Sequence, residues 1–91
     1  MREIKQAKQV VVHVVLYGHK HGTDCWVTSS EDKAWASIKG TIKHYLGDLY
    51  DADAAKKIKK LLKAGKVLDA SNLWAERMEE WFDIHARVVD T

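Results

Sequence analysis

The stretch Val10–Thr28, VVVHVVLYGHKHGTDCWVT, limits the fold more than any other part of the chain. A β-branched run enters a short polar segment flanked by Gly18 and Gly22 and returns as a second apolar run. Such side chains suit the packed surface of a pleated sheet, and a turn-rich segment between two such runs reads as a β-hairpin. The even positions Val10, Val12, Val14 and Leu16 are all aliphatic, whereas the odd positions Val11, His13, Val15 and Tyr17 are apolar with polar tips. A strand apolar on both faces belongs in the middle of a sheet. The expectation is a strand over Val10–Tyr17, a longer loop over Gly18–Gly22, and a returning strand over Asp24–Thr28. Cys25 and Val27 share one face of the returning strand; Asp24, Trp26 and Thr28 share the other.

Helical spacing follows. Thr28-Ser29-Ser30-Glu31 is a capping-box pattern with Asp32 adding charge at a helix N-terminus. Trp35, Ile38, Ile42, Tyr45 and Leu46 recur at helical intervals, with Gly47 as the C′ residue and Gly40 tolerated for close packing on the sheet. A second helix runs from Asp51 or Asp53 to Ala64 on the stripe Ala54, Ala55, Ile58, Leu61 and Leu62, and Gly65 ends it. Asp69 or Ser71 is expected to cap a third, with Leu73, Trp74, Arg77 and Met78 within it, forming an αα-hairpin with the second. After Glu80 the period changes to two: Phe82, Ile84, Ala86 and Val88 alternate with Asp83, His85 and Arg87. The order is ββαααβ, an α+β two-layer domain with a three-stranded antiparallel-type sheet covered by helices on one face. The last strand is expected beside the first.

At 91 residues the chain makes one domain, 1–91, with the polar residues 1–9 expected to be flexible. A single cysteine, Cys25, allows no internal disulfide, and Met1-Arg2-Glu3-Ile4-Lys5 lacks the apolar core of a signal peptide. The expected location is cytoplasmic, with no membrane partner. A net charge of +2 is too small to imply nucleic acid without a concentrated patch.

The residues His19-Lys20-His21-Gly22-x-Asp24, Val27-x-Ser29-x-Glu31, Leu61-x-x-x-Gly65 and Trp81-Phe82-x-Ile84 resemble a group of short uncharacterised proteins of bacteria and their phages. The resemblance spans most of the chain and rests on short motifs. It implies a small intracellular or phage-encoded domain and carries no activity to any residue.

Three clusters are candidates for chemistry. His19 and His21, with Asp24 and Cys25 nearby, are of metal-ligand type, so a metal-binding protein is one alternative. The plainer reading is a solvated turn shaped by Asp24 and the glycines, since structural zinc needs four ligands. Cys25 is expected on the helix-covered face, where a thiol behaves as a small hydrophobe rather than a nucleophile. No phosphate loop or dinucleotide motif is present, and the chain is read as neither an enzyme nor the holder of a cofactor. Lys56, Lys57, Lys59, Lys60, Lys63 and Lys66 form a basic run that can meet phosphates, the second alternative, or simply solvate an amphipathic helix.

The leading expectation concerns the uncovered sheet face. With the even residues of the first and last strands turned to the helices, Val11, His13, Val15, Tyr17, Trp26, Trp81, His85 and Val89 occupy the other side. Apolar and aromatic patches of this kind mark interaction sites. The expectation is a non-catalytic binding module that forms a homodimer or docks on a protein partner. In a phage setting, and by analogy alone, this extends to inhibition of a host protein.

Overall fold

β1 (Gln9–His19) is the axis of the molecule, and a computed structural model describes the chain over residues 9–90. The expectation of a flexible N-terminus falls, for residues 1–8, outside the described residues. β2 (Gly22–Thr28) and β3 (Trp81–Asp90) flank β1, both antiparallel to it, in the order β2-β1-β3. Between β2 and β3 come α1 (Glu31–Tyr45), a 3₁₀ turn (Leu46–Asp48), α2 (Ala52–Lys63) and α3 (Val67–Met78). The architecture is thus the expected α+β sheet with helices packed against it, in the order ββαααβ.

The hairpin is tighter than expected. His19 pairs with Gly22, so only Lys20 and His21 connect the strands rather than a longer loop. Neither Lys20 nor His21 takes a positive φ; Gly22 beside them does, at 132°, a backbone angle that suits glycine. The register then runs from Leu16 opposite Cys25 to His13 opposite Thr28, where β2 stops. Thr28 Oγ1 donates to the Ser30 carbonyl, and Ser30 caps α1 by accepting from the Lys33 amide at 3.1 Å.

Three expectations at helix ends and interiors are corrected. α1 passes into the 3₁₀ turn instead of stopping at a left-handed Gly47. Gly40 makes no close packing on the sheet: a Cβ there would meet nothing within 4 Å. α3 begins at Val67, before Asp69 and Ser71, because the α2 terminus delivers the chain directly into it. Gly65, at φ 77°, closes a Schellman motif in which its own amide donates to Leu62 and that of Lys66 to Leu61. Ser71 lies buried inside α3 and donates to the Leu68 carbonyl.

The core lies between one sheet face and the helices. Val15, Ala34, Ile38, Ile42, Ile58, Leu62, Ala70 and Trp74 are buried together, with Trp26, Phe82 and Ile84 packed against them. Truncating one of the large members to alanine costs about 2–5 kcal/mol. A polar strut crosses this core: Glu80 Oε1 accepts from both the Tyr17 hydroxyl and Trp74 Nε1. Glu79, at φ 55°, makes the left-handed turn between α3 and β3 that precedes Glu80. Burial, reinforced by hydrogen bonding to Glu80 and by its charge, pushes the Tyr17 phenol above its ordinary range.

Candidate functional site

The register decides which residues face the helices, and it reverses the expected assignment for β1. Val15 lies opposite Ile84 and Trp26, and Tyr17 opposite Phe82 and Asp24, so the odd residues of β1 share a face with the even residues of its neighbours. That face carries the helices: Val15 is fully buried and Tyr17 nearly so. Tyr17 stacks on Phe82 with ring centroids 4.6 Å apart, and Trp26 Nε1 donates to Ser37 Oγ of α1 at 2.9 Å. Of the residues expected on the open face, Val15, Tyr17 and Trp26 therefore belong to the packed side. Val11 and His13 share that side. Val11 lies past the cover of the helices and is 48% exposed, while His13 Nδ1 is buried with no hydrogen-bond partner. Trp81, His85 and Val89 are on the open face as expected.

On β1 and β2 the open face is built from the residues that the alternation had assigned to the helix side. Val10, Val12, Val14 and Leu16 run along β1, with Cys25 and Val27 on β2 and Trp81, Asp83, His85, Arg87 and Val89 on β3. Val27 is 60% exposed and Val89 43%, although both are aliphatic residues in a sheet. Cys25 is exposed here rather than buried against the helices. The row Val27, Val14, His85 crosses the three strands side by side. His85 Nε2 lies 2.9 Å from Asp83 Oδ2. At one end the Trp81 indole lies over Gly18, filling the space that a side chain on residue 18 would need.

A usable signal for this face was present in β3. Asp83, His85 and Arg87 form its polar side and Phe82, Ile84 and Ala86 its apolar side, so the odd residues of β3 had to face outward. An antiparallel register whose partner numbers sum to 99 then sends the even residues of β1 outward with them. The uniform aliphatic character of those even residues hid this.

Beyond Thr28, β1 is paired on one edge alone: Gln9–Val12 lies against Arg87–Asp90 with no β2 alongside. Val11 and Val88, on the helix side of this ribbon, are both exposed.

The hairpin cluster is arranged as a turn. His19 Nε2 lies 2.9 Å from Asp24 Oδ2, and its Nδ1 accepts from the His21 backbone amide at 3.2 Å, so both ring nitrogens are engaged. Among the described residues no three His, Cys, Asp or Glu side chains are placed to share a metal ion. Tyr17, His19, Asp24, Tyr45 and Glu80 line a cavity of about 590 Å³ at this end of the molecule. Along α2, Lys56, Lys57, Lys59, Lys60 and Lys63 border a shallow groove of about 440 Å³. Lys66 stands apart at the N-cap of α3.

No helix among the described residues is long and apolar enough to cross a membrane. Comparison with protein-family models, curated proteins and solved structures gave no match.

Proposed function

We propose that the chain is a non-catalytic binding module whose working surface is the open sheet face, occupied by a second copy or by another protein. One observation carries the reading: Val10, Val27, Trp81 and Val89 are all between 41% and 60% exposed on one continuous face. A sheet face exposed to water is ordinarily polar, and contiguous apolar surface on a small domain marks a place where another molecule sits. The aromatic anchor Trp81 and the cationic Arg87 at its margin are residue types favoured where proteins meet.

The test uses the apolar fluorescent probe bis-ANS on the folded protein, beside sedimentation velocity. Wild type is expected either to enhance the probe's emission or to self-associate. Val14→Asp, with circular dichroism unchanged, is expected to lose whichever property wild type shows. A folded wild type that sediments as a monomer and leaves the probe dark would remove the proposal.

The lysine groove supports a second reading, contact with nucleic-acid phosphates. It requires a mobility shift of labelled DNA or RNA at low salt that disappears at moderate salt and in a Lys56→Glu, Lys60→Glu, Lys63→Glu variant. No shift at low salt would end it.

A further inference from the structure

We infer that the open sheet face is built to pair with a second copy of this chain, sheet against sheet, about a two-fold axis lying across the strands over Val14 and His85. The inference rests on the binding-module reading and names the occupant. It starts from the row Val27, Val14, His85, in which the three residues are register partners on one face. An axis along that row places each residue opposite the one equally far beyond it on the same strand of the second copy.

The charges fit this operation. Asp83 and Arg87 lie two residues to either side of His85 on the same face, roughly 7 Å from the axis at the ordinary strand rise. The rotation sets Asp83 of each copy against Arg87 of the other, forming two equivalent ion pairs. Arg87 has no acidic partner within its own chain among the described residues. Asp83 is held by His85 Nε2 and by the Ile84 amide, so its carboxylate is oriented before a partner arrives.

The shapes fit as well. The bulky end, where Trp81 covers Gly18, meets the end made of Val10 and Val89 in the second copy. At the centre Val12 meets Leu16 of the second copy, and Val14 meets its own equivalent. The other in-plane axis, along the strands, would lay β3 over β2 of the second copy. Asp83 and His85 would then be buried against Cys25 and Val27 with only each other as partners, and Arg87 would lie past the end of β2 with no carboxylate opposite it, which is costly. Charge therefore selects the axis across the strands.

The size is adequate. Three strands about 4.8 Å apart and up to about 37 Å long give a footprint of roughly 500 Å² in plan. Side-chain relief raises the accessible area of such a surface towards the ~800 Å² per partner of a standard interface.

The experiment is sedimentation velocity on the full chain from micromolar to sub-millimolar concentration, for wild type, Asp83→Arg, Arg87→Asp and the double swap. Circular dichroism checks the fold of each. Wild type is expected to form a dimer. Each single swap should weaken it by about tenfold or more, and the double swap should restore it to within about threefold. A dimer indifferent to the single swaps, or one that the double swap does not rescue, overturns the inference. So does a wild type that stays monomeric throughout. If that monomer still lights bis-ANS and Val14→Asp abolishes the signal, the binding-module reading stands and only the second copy is refuted.

Discussion

Gly18 and Trp81 face each other across β1 and β3, and the Trp81 indole occupies the space directly above the Gly18 Cα. Glycine is required there by this close approach rather than by an unusual backbone angle, since its φ is not in the left-handed region. Gly18→Ala is therefore expected to cost about 1–3 kcal/mol by overpacking and to displace the indole. In a Trp81→Ala background the same substitution should cost almost nothing. Urea denaturation of the four species closes the double-mutant cycle, and equal costs in both backgrounds would exclude the contact.

Tyr17 and Glu80 make the second testable pair. Tyr17→Phe removes one of the two donors to Glu80 Oε1, leaving Trp74 Nε1 alone with the carboxylate. The expected loss is about 1–3 kcal/mol in chemical denaturation. Alkaline behaviour gives a separate readout. The Tyr17 phenol is raised above its ordinary range in the fold, so the neutral form is the one the native state favours. Its contribution is complete below the unfolded value of about 10 and is lost as pH rises through the folded value. Wild-type stability should fall above about pH 10, by up to ~1.4 kcal/mol per pH unit from this one group. The Tyr17→Phe variant should show a flatter decline over that range.

Neighbouring valines on β1 should respond in opposite ways. Val15 is fully buried among the helices, whereas Val14 lies on the open face. Val15→Asp places a charge in the core without a partner and should cost more than about 4 kcal/mol, which leaves little or no folded chain. Val14→Asp should retain a cooperative thermal transition. Circular dichroism melts decide it, and the reverse order of effects would mean that the faces of β1 are interchanged.

Gly40 offers a gain of stability. It lies inside α1 with open space where a side chain would go. Gly40→Ala should stabilise the protein by about 0.5–1 kcal/mol through helix propensity and a restricted unfolded chain. For a chain of this size that raises the melting temperature by a few degrees, on the order of 4–8 °C per kcal/mol. An unchanged or lowered melting temperature would show that the space beside Gly40 is needed.

Local physics made most elements legible along the chain. The β-branched run, the polar start of α1 at Ser30, the stop at Gly65 and the change of period after Glu80 each act within a few residues. Together they determined the order ββαααβ and the central place of β1. Turn and cap details were less legible where two local preferences competed. Glycines at 18 and 22 suggested a longer loop, yet strand pairing extended to His19 and Gly22 and left only Lys20 and His21 between. Asp69 and Ser71 are good caps, but the Schellman turn at Gly65 started α3 ahead of both.

The direction in which β1 faces was beyond the sequence of β1 alone. Both sets of its alternating residues are apolar enough to bury, so the strand is nearly indifferent to being turned over. Tertiary structure broke that symmetry through its neighbours, since β3 has one charged side and one apolar side, and Trp26 finds Ser37 only from the helix-covered face. Alternation thus established that one apolar face of β1 would be left over, and the antiparallel register, which fixes side-chain parity across strands, decided that it is the aliphatic face of Val10, Val12, Val14 and Leu16 rather than that of Val11, His13, Val15 and Tyr17.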